Sequence, residues 1–586
     1  MKLGVRTLIV VTGAKPTRSS AIANAMARHN AEMPTPTAAG PMLAYQALAL
    51  FVLALLVRLL GNASMPVHVD EYYHLLAGQS WADDGSLAIL DGAYPRARGY
   101  TALTGLTFLV FGEAGMFVAR LPALLAGALL VPIMFWWAAR NVTLRAALLA
   151  ALMLCFADIA VEQSQFARFY TLHALLVWLG ATATYGALYS SSSTKSALLR
   201  LLGAGGCFLT ALHLQVTTLI HLAGLGLFVA GFALTRPGVL SFISQRRFRP
   251  WLIMAAIAAV SAVVAAALAL PLASEFRQTS LWAEEHRNDL LFYARNFLMR
   301  MPILTFLALL SVWLTISRRL RTGYFCLALF VIPFIAHSLA GMKSFRYLLY
   351  ALPFFFVLAA IAADLMLSKL SRLIASVLAS MDSKGRAAIP LHSRPIFTTF
   401  LLVLVAFTAI AGNWSFARSL KRIAIDVHRS AMQPATLVSS PPDEPWSGAS
   451  RQLRTAIGNP TLLVVADDLR AVHYLGTFDL LINRSRISDI SPAVEFGRDF
   501  RTGRRVVGSG ALLAEIAACY PDGAILVPNE RWGLHSAVPA EVTRAIEDFA
   551  EPTRPIVDGF HLYRWQHSPR GARCPSLRAR IADPST

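Results

Sequence analysis

An acidic pair flanked by aromatic and imidazole side chains is the feature of this sequence best suited to chemistry. The segment His68-Val69-Asp70-Glu71-Tyr72-Tyr73-His74 directly follows the first long apolar run. One carboxylate of such a pair can accept the proton of an attacking hydroxyl or amine, while the other orients that group or binds a cation. Successive helical residues point about 100° apart, so Asp70 and Glu71 are predicted to have different roles. The alternative is a structural helix start, with acids at its positive end and tyrosines at a membrane interface.

Basic side chains that could bind a phosphate lie near the ends of apolar runs. Arg96 and Arg98 follow the acidic pair, Arg168 enters an apolar run, and Lys343 and Arg346 precede another. Guanidinium groups donate bidentate hydrogen bonds to phosphate oxygens and offset the charge that develops on a phosphate leaving group. Alternatively, these side chains extend to lipid headgroups. An arginine entering an apolar run is costly unless it is paired, which favours a functional role for Arg168.

Long apolar runs must position these residues. The 586 residues are 56% hydrophobic and 15% charged, with a mean hydropathy of +0.54, a balance typical of a membrane protein. About eleven transmembrane helices are predicted, and they begin near Pro41, Arg120, Leu144, Arg168, Leu198, Val216, Trp251, Ile303, Tyr324, Tyr347 and Ile396. His213 and Gln215 predict a tight turn between two of these helices.

The distribution of charge predicts the orientation in the membrane. The net charge of +20 arises from 53 Lys and Arg residues that lie largely in short loops between apolar runs, which argues against a nucleic-acid partner. If residues 1–40 are a cytoplasmic leader, every predicted inside loop is basic, and many acids fall on the opposite side. The sequence therefore predicts a multi-pass bacterial inner-membrane protein, with a membrane domain at 41–413 whose candidate site faces the periplasm.

Residues 414–586 are predicted to form a soluble extracytoplasmic α/β domain. Its predicted strands and helices are Thr461–Ala466, Arg504–Gly508, Ala511–Ala518, Ala524–Pro528 and Ala540–Phe549, and the second, third and fourth form a β-α-β unit. The turn Gly508-Ser509-Gly510 offers backbone amides to an anion, although a lone glycine-rich match is more often a plain connection. Cys519 and Cys574 can form a disulfide if this domain is extracytoplasmic, and the sequence leaves their pairing open.

Several ordered motifs resemble the protein O-mannosyltransferase and aminoarabinose transferase superfamily. They are Asp70-Glu71, Gly92–Tyr100, Phe111-Gly112-Glu113, Ala119–Pro122, Asp158–Tyr170 and Lys343–Tyr347. The resemblance covers roughly Pro41 to Asn413 and implies a type C glycosyltransferase (GT-C) fold that moves a sugar from a polyprenyl-phosphate donor to an envelope lipid, glycan or protein, with inversion.

The same resemblance implies roles for individual residues. Asp70 would be the catalytic base, Glu71 would position a substrate, and Asp158 would be the second acid of the family pattern. The donor phosphate would contact Arg96 or Arg98, between which the sequence does not choose, with Arg168, Lys343 and Arg346 as further candidates. Contacts with the substrates are expected at Tyr72, His74, Glu162, Tyr170 and His213.

The sequence leaves open whether a divalent cation is bound and whether the protein belongs to one of two other function classes. Carboxylates are supplied by Asp70, Glu71, Asp158 and Glu162, without an ordered ligand motif. Oxygen ligands would favour Mg²⁺ or Mn²⁺ over zinc.

The main rival to a glycosyltransferase is a transporter or lipid flippase. Against it, no internal repeat is evident, and the ionisable residues gather at the predicted outer ends of the spans. A membrane scaffold whose function lies in the tail is the second rival. Residues 282–287 are predicted to form an interfacial helix.

Overall fold

The structure, a computed structural model, describes residues 40–60, 62, 65–190, 193–234, 289–382, 412–432, 445–483, 496–499, 501–534, 537–554, 556–571 and 573–582. The predicted leader, the predicted spans beginning near Trp251 and Ile396, and the predicted interfacial helix at 282–287 lie outside these residues.

The described membrane domain is almost entirely helical. Its helices are α1 (Gly40–Leu60), α2 (Glu71–Asp84), α3 (Arg98–Phe111), α4 (Met116–Asn141), α5 (Leu144–Phe156), α6 (Asp158–Ser164), α7 (Tyr170–Tyr189), α8 (Thr194–Leu214), α9 (Thr218–Leu234), α10 (Phe292–Arg300), α11 (Pro302–Arg318), α12 (Arg321–Leu339) and α13 (Leu352–Asp382). A short hairpin, β1 (Ala88–Ile89) with β2 (Gly92–Ala93), lies between α2 and α3, and a 3-10 turn at Phe345–Ala351 precedes α13.

The helices confirm a multi-pass membrane protein. Six helices of the described chain are long and apolar enough to cross a membrane, or up to eight if each bent pair is one span. The bent pairs are α5 with α6, at 58°, and α10 with α11, at 114°; α11 begins with Pro302, which suits the first turn of a helix. The predicted turn after His213 is confirmed, since α8 ends at Leu214 and α9 begins at Thr218. The count of eleven spans stays a prediction.

The C-terminal part contains a seven-stranded sheet with helices on both faces. Its elements are α14 (Trp414–Met432), α15 (Trp446–Ile457), β3 (Leu463–Val465), α16 (Asp468–Leu475), β4 (Leu480–Ile482), β5 (Phe496–Arg498), β6 (Arg505–Val507), α17 (Gly510–Ala518), β7 (Asp522–Pro528), a 3-10 turn (Asn529–Arg531), α18 (Ala540–Phe549), β8 (Glu551–Pro552), β9 (Phe560–Gln566) and α19 (Cys574–Ala582). The strand order is β5-β6-β4-β3-β7-β9-β8, in which β6, β4, β3 and β7 are parallel. The predicted α/β domain is confirmed, but β6 and β7 of the predicted β-α-β unit are not neighbours, because β4 and β3 lie between them.

The glycine-rich turn before α17 has a packing role. The Ser509 hydroxyl caps the helix by accepting a hydrogen bond from the Leu512 N–H at 3.3 Å. A Cβ added at Gly510 would lie 2.8 Å from both the Ala545 Cβ and the Glu541 carbonyl oxygen. Glycine therefore lets α18 approach α17 closely, which supports the plain connection.

The C-terminal domain docks on the first loop of the membrane domain. The Asp91 N–H donates to the Thr502 carbonyl at 3.0 Å, and Arg504 pairs with Asp91 at 3.1 Å. Gly92 and Gly503 meet so closely that a Cβ on either would lie about 2.4 Å from backbone atoms of the other segment. These contacts fix the β1–β2 hairpin against the C-terminal domain.

The structure joins Cys519 and Cys574 in a disulfide. We expect Cys574→Ser to lower the free energy of unfolding of the C-terminal domain by about 2–4 kcal/mol, because the bond closes a 55-residue separation in the unfolded chain. Denaturant unfolding with and without reductant measures this change. Equal stability of the variant and the oxidised wild type would contradict the prediction.

Candidate active site

Asp70 and Glu71 have different environments at the start of α2. Glu71 is fully buried and forms a bidentate pair with Arg120 of α4, with Nε–Oε2 at 2.7 Å and Nη2–Oε1 at 2.8 Å. Its carboxylate also accepts the backbone N–H groups of His68, at 2.9 Å, and Ala167, at 2.7 Å. Asp70 occupies the N-cap position, and its side chain is 27% exposed. Glu71 therefore joins three segments of the chain, and Asp70 is the carboxylate that can meet a substrate.

Arg120 extends this clamp to the loop before α2. Its Nη1 donates at 3.3 Å to the carbonyl and side-chain oxygens of Asn62 and to the Met65 carbonyl, and its Nη2 donates at 3.4 Å to the Pro66 carbonyl. A buried charge needs this degree of pairing to be tolerated. Glu71 and Arg120 together fix the backbone on which Asp70 sits.

Arg168 is the cation that directly contacts Asp70. Its Nη1 lies 3.4 Å from the Asp70 Oδ2 and donates to the Asp70 carbonyl at 3.1 Å. His68 lies 3.7 Å from the same carboxylate, but its Nδ1 accepts the Asp70 N–H at 3.2 Å. Because an accepting Nδ1 carries no proton, His68 is neutral in this arrangement.

Two more arginines surround the same aromatic rings. The guanidinium groups of Arg168 and Arg346 lie 5.7 and 5.6 Å from the centre of the Tyr170 ring, and those of Arg168 and Arg96 lie 5.5 and 5.6 Å from the centre of the Phe169 ring. The Nε atoms of Arg168 and Arg346 are buried and have no hydrogen-bond partner among the residues that the structure describes. A buried N–H without an acceptor is costly, so both favour an acceptor from outside the described residues.

The arginines control the charge of Asp70. Burial alone would raise the pKa of this carboxyl, but the charges of nearby cations, above all Arg168 and then Arg346 and Arg96, outweigh burial and lower the pKa to about 2. The Arg168 pKa is raised well above its usual value, because Asp70 outweighs the effect of burial. Asp70 is therefore an anion at neutral pH and is held among several cations.

The other predicted phosphate ligands differ in whether they lie in the arginine cluster. Arg96 lies in the arginine cluster and donates to the Gln215 Oε1 at 3.4 Å, whereas Arg98 is exposed at the start of α3. The ammonium of Lys343 donates to the carbonyls of Ser338 and Ala340 at the end of α12. Cations stabilise the C-terminal end of a helix, so the described contacts of Lys343 are those of a helix cap.

The described ion pairs of Asp158 are with two other arginines. Its Oδ2 pairs with Arg300 at 3.3 Å and with Arg418 at 3.4 Å. Its Oδ1 accepts the Ser415 hydroxyl at 2.6 Å and the Ile159 N–H at 2.8 Å. These contacts join α6, α10 and α14, and Glu162 lies one turn further along α6.

The predicted substrate contacts also separate into groups. Tyr170 lies among the arginines, and Tyr72 is buried against the C-terminal domain, where its hydroxyl donates to the Tyr474 hydroxyl at 3.2 Å. His74 is buried between the Tyr94 and Tyr100 rings, and burial lowers its pKa well below the usual value. His213 is exposed near Gly99 at the end of α8.

The sequence missed several residues that organise the site. Arg120 lies in the motif Ala119–Pro122, but the sequence assigned it no role. An arginine near the start of an apolar span requires a partner, and this was the available signal. Arg300 and Arg418 carried no sequence signal, because nothing in the chain links them to Asp158. His221, within α9, is buried, and neither ring nitrogen has a hydrogen-bond partner among the described residues.

A metal centre does not fit the described side chains. Within the ranges given above, no three His, Cys, Asp or Glu side chains lie close enough to hold a metal ion. Glu71 pairs with Arg120 and Asp158 with Arg300 and Arg418.

Solved structures share the architecture of this chain. ArnT from Cupriavidus metallidurans in the apo state superposes with a TM-score of 0.55 at 15% identity, over 90% of this chain and 98% of ArnT. The same protein bound to undecaprenyl phosphate gives a TM-score of 0.51 at 15% identity, over 91% of this chain and 100% of that one. This chain has the GT-C fold. The archaeal oligosaccharyltransferase AglB from Archaeoglobus fulgidus, in complex with an inhibitory peptide and a dolichol-phosphate, agrees with a TM-score of 0.52 at 13% identity, over 86% of this chain and 72% of AglB.

No family model and no curated protein matches the sequence. The assignment of the GT-C fold therefore rests on the structural superpositions. At such low identity the likeness establishes the fold, and the residues of the site carry the functional argument. The fold class predicted from the ordered motifs is confirmed.

Proposed function

We propose that this protein transfers a sugar from a polyprenyl-phosphate donor to an envelope acceptor at the periplasmic face of the bacterial inner membrane. The observation that carries this proposal is the Asp70 carboxylate beside Arg168, in a cluster that also contains Arg346 and Arg96. The undecaprenyl phosphate of the ArnT structure and the dolichol-phosphate of the AglB structure support a lipid phosphate as the donor.

The chemistry is a single displacement at the anomeric carbon. Asp70 accepts the proton of the acceptor hydroxyl or amine, whose freed electron pair forms the new bond to that carbon. The bond from the anomeric carbon to the phosphate oxygen breaks, and its electron pair leaves with the polyprenyl phosphate. Attack opposite the leaving group inverts the anomeric centre.

The arginines stabilise the phosphate as its charge grows. The Nε–H groups of Arg168 and Arg346 have no partner among the described residues and are fixed before the reaction. Donors fixed in this way stabilise developing charge most effectively. Arg96 supplies a third cation. Glu71 acts through the backbone as a positioning residue, and Asp158 holds α6 against α10 and α14.

A donor phosphate would also make Asp70 a better base. Arg168 contacts both the carboxylate and the carbonyl of Asp70. Negative charge on the donor would offset the arginine charges that lower the Asp70 pKa, so donor binding is expected to raise the proton affinity of Asp70.

Transfer and transport are separated by one reconstitution. Proteoliposomes containing the protein, undecaprenyl-phosphate sugars and an envelope lipid extract should yield a glycosylated product that mass spectrometry identifies. Movement of the donor across the bilayer without any product would instead support the transporter, which the GT-C fold does not favour. A phosphatase fused after Thr586 should be active, because the proposal places the C-terminal domain outside the cytoplasm.

Arg168→Gln should move the acidic limb of the pH profile. In the wild type the Asp70 pKa of about 2 keeps the carboxylate ionised as the pH falls, so kcat/KM is not limited by Asp70 protonation above roughly pH 3. Without the largest of the charges that lower it, the pKa rises, and protonation removes activity at a higher pH. The measurement is the pH dependence of the residual kcat/KM of the variant. An acidic limb at the same pH as in the wild type would show that Asp70 is not the titrating base.

A further inference from the structure

The parallel strands of the C-terminal sheet form a topological switch point. From β3 the chain adds β4 and then β6 on one side, and β7 lies on the other side of β3. In open sheets of this kind, ligands bind outside the carboxyl ends of the strands where the strand order reverses. Here that position lies between the segments after Val465 and after Pro528.

A buried carboxylate occupies this position. Asp467 follows β3, and its side chain is 0% exposed. Arg470 of α16 and Arg531, from the 3-10 turn after β7, both pair with the Oδ2 of Asp467, at 2.9 and 3.1 Å. An ion pair therefore joins the two segments that border the switch point.

The second oxygen of Asp467 is left without a donor. Both arginines contact Oδ2, while Oδ1 is buried and has no hydrogen-bond partner among the described residues. Leaving a buried acceptor unpaired is costly, and more so when the group is charged. With no donor among the described residues, the arrangement favours one from a ligand or an ordered water.

The local charges favour a neutral ligand. Asp467, Asp468 and Glu530 outnumber Arg470 and Arg531, so the segments bordering the switch point carry no excess positive charge for a phosphate. An anion would also be repelled by the free Oδ1. Adjacent hydroxyls of a sugar ring match both groups, because one can donate to Oδ1 while the other accepts from Arg531, whose side chain is 23% exposed.

This position is close to the catalytic loop. Leu469, two residues after Asp467, is buried in one cluster with Val67, Tyr72 and Tyr73 of the membrane domain. Tyr72 in turn lies two residues after Asp70. Both aspartates therefore lie within two residues of members of this one buried cluster.

We propose that the switch point of the C-terminal domain is a glycan-binding subsite that holds a neutral, hydroxyl-rich part of the acceptor through Asp467 and Arg531. The identity of the ligand as the acceptor rests on the proposed function. The existence of a sugar-binding site does not, because it rests on the sheet topology and the unpaired carboxylate oxygen.

The test uses the full chain in lipid nanodiscs, titrated with maltose, cellobiose and lactose, and separately with inorganic phosphate, by saturation-transfer difference NMR. The wild type should bind at least one disaccharide saturably, and Asp467→Ala should weaken that binding at least about tenfold. Arg531→Gln should also weaken it while keeping the pair of Asp467 with Arg470, so it remains informative if Asp467→Ala unfolds the domain. Arg573→Gln removes an exposed pair with Glu515 in the same domain and should bind like the wild type.

Each outcome bears on the proposal. The proposal would be overturned by any of three results: no saturable disaccharide binding, equal binding by the wild type and both variants, or binding of phosphate alone. The first result would mean that an ordered water, rather than a sugar, donates to Oδ1. In transfer assays, Arg531→Gln should raise the KM for the acceptor and leave kcat nearly unchanged. Asp70→Asn should keep disaccharide binding, so retained transfer by that variant would refute the base without affecting the glycan subsite.

Discussion

Asp70→Asn is expected to lower sugar transfer by about 10²–10⁴-fold, the range that a positioned general base contributes. Asparagine has nearly the same shape but cannot accept the proton of the acceptor. The side chain is 27% exposed and the clamp of Glu71 stays intact, so expression and folding should match the wild type. The measurement is the initial rate of product formation in membranes supplied with undecaprenyl-phosphate sugar. The arginines remain, so a residual rate above background is expected.

A second acid on the same helix provides the matched control. Asp84 lies at the exposed end of α2, where its carboxylate accepts the Ser86 N–H at 2.7 Å. Asp84→Asn makes the same chemical change outside the arginine cluster and should retain full transfer. The donor KM of Asp70→Asn should not rise, because removing the carboxylate frees Arg168 for the phosphate. Wild-type turnover by Asp70→Asn would rule out Asp70 as the base.

The sequence predicted the inequivalence of Asp70 and Glu71 but not its form. Helical geometry alone requires adjacent side chains to point in different directions. Which one is buried depends on Arg120, 49 residues away, and on the Ala167 N–H, 96 residues away. Such partners are set by tertiary packing, for which a single sequence carries no signal.

The candidate phosphate ligands illustrate the same limit. The sequence could not choose between Arg96 and Arg98, because both follow the same proline; α3 begins at Arg98 and leaves it exposed, whereas Arg96 lies on the Phe169 ring. Lys343 and Arg346 lie three residues apart, yet the former caps α12 and the latter lies over Tyr170. The residue types and their places along the chain were predictable, but the directions of their side chains were not.

In the C-terminal domain, local patterns predicted elements more successfully than topology. The predicted helix Ala540–Phe549 matches α18, and the predicted strand Ala524–Pro528 lies within β7. The strands β4, β5, β8 and β9 were not predicted. The switch point at Asp467 was therefore not visible in the sequence, because it depends on the place of β4 in the sheet.

Breaking the Glu71–Arg120 pair should have the largest effect on folding. Glu71→Ala leaves the Arg120 guanidinium buried without a counter-charge, which costs about 3–5 kcal/mol. The loop before α2 and the turn at Ala167, next to Arg168, then lose a shared anchor. We expect a large fall in the melting temperature of the detergent-solubilised protein and loss of transfer by the fraction that remains folded. Arg573→Gln, which breaks an exposed pair, should cost less than about 1 kcal/mol.

Glu71→Gln distinguishes a positioning role from a catalytic one. If Glu71 took part in proton transfer, the amide variant would fold like the wild type and lose only turnover. As a positioning residue it should instead lose stability, because the neutral amide cannot balance Arg120 or accept all of its donors. Replacing both partners by leucine removes the unpaired charge but leaves the N–H groups of His68 and Ala167 without their acceptor. The double variant should therefore recover part of the stability and none of the transfer, since the backbone that carries Asp70 is no longer fixed.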